Sequence, residues 1–450
     1  MRKLILFVLP IIVLIGLIIW LTPLLLKRIP SRYVARLPEP LQQLGAPEEQ
    51  VPILPTVASP VNANLLLGSG QGEDETAVDE TISEPATPTA VPVVNGEVEE
   101  AEAIIEPTAT LMPTPIPSPT PWPNPTAARL ENFQHQFQSW NNCGPATIAM
   151  TLSFFQHHVT QSDTAAFLKP KPEDRNVSPH EMAAYVNEQT PLQANFRTNG
   201  TLDMLKTFVA NDIPVVIELG IEPPGEFRWL GWYGHYLLVV AYDDAQEQFW
   251  VYDSWFGTSD VPMENADRNG RVLTYDTLAT DWPHFNRNYI PVYRPDQANL
   301  VHNIIGADID DATMWQNNLA TAQAEAAQDP NNAFFWFNLG TVYNALGRHE
   351  EAATAFDQAR AIGLPWRMLW YQFGPYEAYY QVGRYEDVIL LADVTLKDRP
   401  YFEESFYYKG LARQAQGDFA SAEALFNDAI GFNPRFQPAA AALASLQVGG

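Results

Sequence analysis

The chain is 450 residues long, enough for two or three domains with cores of their own. Its 26 Lys and Arg stand against 53 Asp and Glu, and a formal charge of −27 repels phosphate backbones and anionic lipid, so nucleic acid is not an expected partner. One cysteine, Cys143, excludes an intramolecular disulfide and a cysteine-based zinc cluster; no metal or cofactor is expected, and the compartment stays open.

The first predicted element is MRKLILFVLPIIVLIGLIIWLTPLLLKR. It is uncharged from Leu4 to Leu26, long enough to cross a bilayer core as a helix. The run exceeds a signal-peptide core and no small-x-small site follows it, so residues 1–28 are expected to be an uncleaved single-pass anchor, with 4–26 in the cell membrane. Orientation signals conflict. Lys27, Arg28, Arg32 and Arg36 follow the run, against Arg2 and Lys3 before it, a count that would hold the bulk of the chain in the cytoplasm.

Residues 29–128 read as a disordered acidic, Pro/Thr-rich linker. From Leu37 to Ala128 there is no Lys, Arg or His, and GEDETAVDE and GEVEEAEAIIE repel themselves without enough apolar content to offset ordering. PTATLMPTPIPSPTPWPNPT then favours an extended polyproline spacer. Such stalks commonly join an anchor to an extracytoplasmic domain, so the soluble part is expected outside; a cytoplasmic tether for proline-recognition domains is the alternative.

Residues 129–296 read as one α+β domain. PATIAMTLSFFQHH, SPHEMAAYVNEQ and TLDMLKTFVAND are helical candidates, the last two with Ser178 and Thr201 as caps. IPVVIEL, HYLLVVAYDD and QFWVYDSW follow as strands rich in branched and aromatic residues. Helices before strands suggest a layered α+β arrangement.

Chemistry at a cysteine needs a thiolate, and a free thiol with pKa about 8.5 is mostly protonated at neutral pH. Cys143 precedes Gly144, Pro145 and an apolar run of helical length, which puts its sulfur at a helix N-terminus where negative charge is favoured. Gly144 removes a side chain that could block an approaching carbonyl. A nucleophile of this kind also needs an imidazole and a group that orients it. Among the eight histidines, His235 opens the strand YLLVVAY, and the return strand FWVYDSW brings back Asp253, whose carboxylate needs a partner if buried. Trp229, Trp232, Trp250 and Trp255 are candidates for a substrate groove or for core.

NNCGPATIAM, GHYLLVVAYD and VYDSW, in that order, resemble the papain-like cysteine peptidases that process double-glycine leader peptides of bacteriocins, in particular their stand-alone relatives. The resemblance implies a papain-like fold, Cys143 as nucleophile, His235 as general base and acid, and Asp253 as the orienting residue. It further implies Gln138 as an oxyanion donor beside the Cys143 N–H, with Gln136 its rival, and a peptide or protein substrate. Two departures limit it. The chain has no GxxxxGK[ST] loop for a transporter's ATP cassette, and Asn142 stands where the transporter-linked enzymes usually carry aspartate, so coupled export and their leader preference are not implied.

The rest of the chain repeats. GRHEEA, GRYEDV and GDFASA start at Gly347, Gly383 and Gly417, spacings of 36 and 34 that signal a solenoid. Trp336, Leu339, Gly340, Tyr343, Ala352, Phe356 and Ala359 resemble the tetratricopeptide consensus, with Pro365 one position late; a later unit fits through Gly410, Ala422, Phe426, Ala429 and Pro434. The middle unit keeps Trp370 and Gly374 but carries two extra residues before Gly383, so its first helix is expected to be distorted. Residues 308–447 are thus an all-α solenoid of three repeats, with DATMWQNNLATAQAEAAQ and QPAAAALASLQ as capping helices, and the resemblance implies a protein partner. The expected function is peptide-bond hydrolysis by a cysteine peptidase; a non-catalytic assembly platform and an acyl transferase using the same residues are the alternatives.

Overall fold

The structure is a computed structural model that describes residues 53–57, 66–67, 124–139, 141–171, 177–222, 231–261, 264–265 and 269–449. The expected anchor at 4–26 lies outside these residues; among those described, no helix is long and apolar enough to cross a membrane. A mixed α/β domain is followed by a helical region.

The first domain runs β1 (Ala127–Arg129), α1 (Cys143–Phe154), α2 (Gln161–Leu168), α3 (Pro179–Gln189), β2 (Gln193–Ala194), α4 (Leu202–Ala210), β3 (Val215–Ile221), β4 (Tyr233–Asp243) and β5 (Gln248–Asp253). It continues through β6 (Arg271–Thr274), α5 (Tyr275–Asp281), a 3-10 turn at Trp282–Phe285, β7 (Tyr289–Tyr293) and α6 (Ala298–Ile305). The strands make a seven-stranded sheet in the order β2-β7-β3-β4-β5-β6, and β1 joins β4. Every pairing is antiparallel. β4 is long enough to change neighbours along one edge: residues 233–239 pair with β3 and 241–243 with β1. It is buried from Gly234 to Tyr242, so it reads as a continuous apolar run without alternation.

Local chemistry sets the helix starts. Thr201 Oγ1 accepts from Met204 N at 3.2 Å at the head of α4. Glu181 Oε2 accepts from Ser178 N at 2.8 Å at the head of α3. Thr160 and Asp163 form the same kind of box on α2, a helix absent from the sequence expectation. α1 ends at Phe154, short of His157 and His158, where Gln156 takes a positive φ of 62°.

The helical region comprises α7 (Asp311–Gln328), α8 (Ala333–Ala345), α9 (His349–Ile362), a 3-10 turn at Trp366–Trp370, α10 (Gly374–Gln381), α11 (Tyr385–Asp398), α12 (Glu403–Ala415), α13 (Phe419–Phe432) and α14 (Gln437–Gly449). Close approach explains two of its glycines. A Cβ at Gly340 would lie 2.7 Å from the Phe356 ring and one at Gly410 2.5 Å from the Phe426 ring. In the middle unit α10 keeps only Gly374–Gln381, with Pro375 in its first turn, and the 3-10 turn at Trp366–Trp370 precedes it.

The linker expectation for 29–128 fails at its described parts. Leu54 is fully buried on the repeats and its N–H donates to Leu364 O at 3.0 Å, while Arg360 Nε donates to Pro55 O at 2.9 Å. Tyr343 Oη donates to Leu66 O at 3.1 Å. Ala127 and Ala128 belong to β1. These partners lie far along the chain, where local composition carries no signal.

The two folded parts are packed together. Trp232 stacks on Phe285 and on Phe334 of α8, with centroids 5.8 and 5.7 Å away. Asn338 Nδ2 donates to Pro283 O at 2.6 Å, and Gln372 Nε2 to His284 O at 3.1 Å. Arg287 pairs with Glu325, and Arg197 with Asp311.

Candidate active site

Cys143 opens α1 and is half-buried, with Ala146, Ile148, Ala149, Met150 and Leu152 of the same helix fully buried behind it. The helix begins at the cysteine itself, so Pro145 is third in the first turn, where a missing N–H costs no hydrogen bond. Asn141, two residues earlier, takes φ 54°, a left-handed turn that asparagine tolerates, and Lys169 Nζ donates to its carbonyl at 3.0 Å. Gly144 does not clear a path for substrate. A Cβ there would face 3.3 Å from Val177 Cβ and 3.4 Å from Met182 Sδ, so glycine lets α1 pack against the segment leading into α3.

The β4–β5 hairpin places Asp253 opposite Leu237, diagonal to His235 on the same strand pair. His235 Nε2 donates to Asp253 Oδ1 at 2.7 Å, and both side chains are buried. Asp253 Oδ1 also accepts from the N–H groups of Trp255 at 2.7 Å and Phe256 at 3.0 Å. Arg271 at the start of β6 lies 2.9 Å from Oδ2, an ion pair whose alignment falls short of a hydrogen bond. Burial alone would raise the Asp253 pKa; His235, Arg271 and the donated N–H groups outweigh it and hold the carboxyl well below the usual range.

With Nε2 on Asp253, Nδ1 is the ring nitrogen left for the thiol, and the Cys143 and His235 side chains each bias the other's protonation. Burial pushes the Cys143 thiol up, but the bond to His235, its charge, the Tyr236 N–H and Lys169 bring it below its ordinary value. Burial likewise disfavours a charged His235, and the Asp253 carboxylate reverses that, carrying the imidazole well above its usual pKa. Both directions favour a thiolate–imidazolium pair.

Gln138 and Gln136 separate by their partners. Gln138 N donates to Ser254 O at 2.7 Å and Ser254 Oγ donates to Gln138 Oε1 at 2.8 Å, which ties the glutamine to the residue after Asp253 and makes its NH2 the donor end. Gln136 uses both ends of its amide in the scaffold, Nε2 to Val159 O at 2.8 Å and Oε1 from Gln161 N at 2.9 Å. His135 reaches the same region from the other side, its Nε2 2.8 Å from Asp253 O. Of the tryptophans, Trp232 is taken up by the contact with the repeats, and Trp229 lies outside the described residues.

Three residues near the site were not anticipated. Glu218 on β3 is 2% exposed, accepts from Asn288 Nδ2 at 2.8 Å, and feels both Cys143 and His235. Burial pushes it up to about 8, so it stays protonated at neutral pH. A lone glutamate inside IPVVIELG was its only sequence signal. Arg271 opens a strand missing from the expectation. Tyr371 comes from the repeats: a Cβ at Gly234 would lie 3.1 Å from its ring and 2.6 Å from Phe285, so the tyrosine ring rests on the backbone one residue before His235. Among the described residues no group of three or more His, Cys, Asp or Glu side chains is placed to hold a metal ion.

Residues 130–289 match the Peptidase_C39 like family and residues 318–354 a tetratricopeptide repeat. Among solved structures, a putative C39-like peptidase from Bacillus anthracis is 15% identical, with 37% of this chain and 98% of that one covered at a TM-score of 0.30. MamA is also 15% identical, with 31% and 80% covered at a TM-score of 0.28. No curated protein matches the chain. The chain therefore carries a C39-like peptidase domain joined to tetratricopeptide repeats.

Proposed function

We propose that this protein is a papain-like cysteine peptidase that hydrolyses peptide bonds through Cys143, His235 and Asp253, with Gln138 as oxyanion donor. The observation that carries the reading is the buried His235–Asp253 pair, Nε2 2.7 Å from Oδ1, whose ring lowers the pKa of the Cys143 thiol. The Cys143 thiolate attacks the scissile carbonyl carbon, and the oxyanion is held by the Gln138 NH2 and the Cys143 N–H, a donor type worth a few kcal/mol of barrier. His235 gives its proton to the departing amine, leaving a thioester. It then takes a proton from water, which attacks the thioester and releases the acid and the thiol. Asp253 holds the ring in the tautomer that keeps Nδ1 toward sulfur.

The repeats are proposed to bind a protein partner, and residues 4–26 to anchor the chain in a membrane with the folded part outside; protease shaving of intact cells tests the latter. For hydrolysis, the full chain and its Cys143→Ala and Cys143→Ser variants are compared on a peptide library read by mass spectrometry. Cleavage by the wild type alone is expected. Equal cleavage by all three forms sinks the reading, and rapid alkylation of Cys143 without any cleavage favours a binding platform.

A further inference from the structure

Residues 53–57 lie on the repeats as an extended peptide. Ile53 bridges antiparallel to Pro365, and Leu54 N donates to Leu364 O at 3.0 Å. Exposure alternates as on a strand: Leu54 is fully buried, whereas Ile53 and Thr56 are exposed. The sequence prepares this conformation. Leu54 precedes Pro55, which biases it to extended backbone before it docks, so less freedom is lost on binding.

The receiving surface has a polar and an apolar part. Arg360 of α9 is 1% exposed, and its NH1 donates to Tyr379 Oη at 3.0 Å and to Asp387 Oδ1 at 3.2 Å. With the guanidinium fixed in this way, its Nε donates to Pro55 O at 2.9 Å. Leu364, in the turn after α9, is fully buried and supplies the carbonyl for Leu54, whose side chain joins the apolar cluster of Phe356, Leu364 and Met368. Take the peptide away and a buried guanidinium N–H and a backbone carbonyl both lose their partners. The same stretch of chain is held again farther on: Leu66 O accepts from Gln323 Nε2 of α7 and from Tyr343 Oη of α8, both at 3.1 Å. A buried leucine and the hydrogen bonds of Leu54 and Pro55 make a small contact, one that an intramolecular ligand keeps made through its high effective concentration.

We propose that the surface of Arg360, Leu364 and Pro365 is a peptide-docking site whose occupant is the chain's own residues 53–57, exchangeable for an extended segment with an apolar residue immediately before proline. The inference rests on the reading that the repeats bind a protein, gives that reading a place and a ligand chemistry, and does not depend on hydrolysis.

The test opens the site without touching it. Full-length protein carrying Cys143→Ala, which consumes no added peptide, is compared with the same chain carrying Leu54→Asp as well. A labelled peptide of residues 51–57 is titrated into each and followed by fluorescence anisotropy. The Leu54→Asp chain is expected to bind it at least about tenfold more tightly than the chain whose site is filled, and the same peptide with Leu54→Asp is expected to bind at least about tenfold more weakly, the scale of one buried leucine. Leu54→Ala, a milder change, should open the site in the same direction and serves if Leu54→Asp disturbs the repeats by circular dichroism. Hydrogen exchange at the Leu54 N–H reads the contact in the undisturbed segment and should be slower than in the free peptide. Equal binding of the peptide to the filled and opened chains puts it elsewhere on the protein, which overturns this site and leaves the repeats a binding surface. No binding to either opened chain, or exchange at Leu54 at the free-peptide rate, overturns the site as well.

Discussion

The C39-like domain and the repeats both bury charge, and they do so to different ends. In the repeats, Arg360 and Asp357 are almost fully buried, Arg384 pairs with Asp357 at 2.6 Å, and Arg360 lies 3.2 Å from Asp387. Tyr379 closes the set by donating to Asp357 Oδ1 at 2.8 Å and accepting from Arg360 NH1 at 3.0 Å. Two cations face two anions between α9 and α11, and no member is placed to react. In the C39-like domain the buried set is unequal. Asp253 has His235 and Arg271, His235 has a half-buried thiol, and Glu218 sits protonated behind them. Buried charge alone therefore does not mark a site; a polarised chain that ends on a nucleophile does.

The largest effect should come from cutting that chain. His235→Ala removes the partner that lowers the Cys143 thiol, so alkylation by iodoacetamide at pH 6 should slow by about a hundredfold, as a thiol returns toward its ordinary pKa. Rates measured from pH 4 to 9 should show the wild-type thiolate at lower pH than the variant. Coincident profiles would mean that the cysteine is an ordinary thiol and that the contrast with the repeats is empty. Asp253→Asn keeps the shape but loses the charge that raises His235, and should move the same profile in the same direction.

Breaking the balanced set should leave that chemistry alone. Arg360→Ala leaves Asp357 and Asp387 to share Arg384 alone and should cost about 3 kcal/mol in denaturant unfolding, the scale for removing one member of a buried pair. The alkylation profile of Cys143, read well below the transition, should be unchanged.

The sequence reaches these two sets unequally. Cys143 at a helix start and the return of Asp253 to His235 were legible because a helix N-terminus and a hairpin are local devices. The repeats were legible through offsets such as Gly340 to Phe356, which the structure brings into contact. What escaped depends on distant pairing. β7 enters the sheet between β2 and β3, Leu54 is covered by Leu364, and Tyr371 meets Gly234 across two domains. Glu218 was hidden for a further reason: a glutamate in an apolar strand is read by its usual charge, and here burial keeps it neutral.

Glu218 gives the next test, on stability. Its folded pKa is about 8 against an ordinary 4.5, so between those values the folded chain holds a proton that the unfolded chain has released. Stability from this group is complete below 4.5 and falls as pH rises toward 8, by at most about 1.4 kcal/mol per pH unit. Glu218→Gln removes the titration, so the variant should gain on the wild type across that window in urea midpoints taken at successive pH values. A constant difference would place the carboxyl in contact with solvent.

The smallest effect tests whether the two regions act on one another. Tyr371 belongs to the repeats, yet its ring lies against Gly234 beside His235. Tyr371→Phe keeps that ring in place and removes only the hydroxyl. If the repeats only cover the site, the variant should alkylate at the wild-type rate. If they help hold His235 in register, alkylation at pH 6 should slow severalfold while the limiting rate at high pH, where the thiolate forms without help, stays the same. Tyr371→Ala, which also opens space beside Phe285 and Trp232, should slow both, so a loss confined to low pH in Tyr371→Phe identifies positioning of the imidazole.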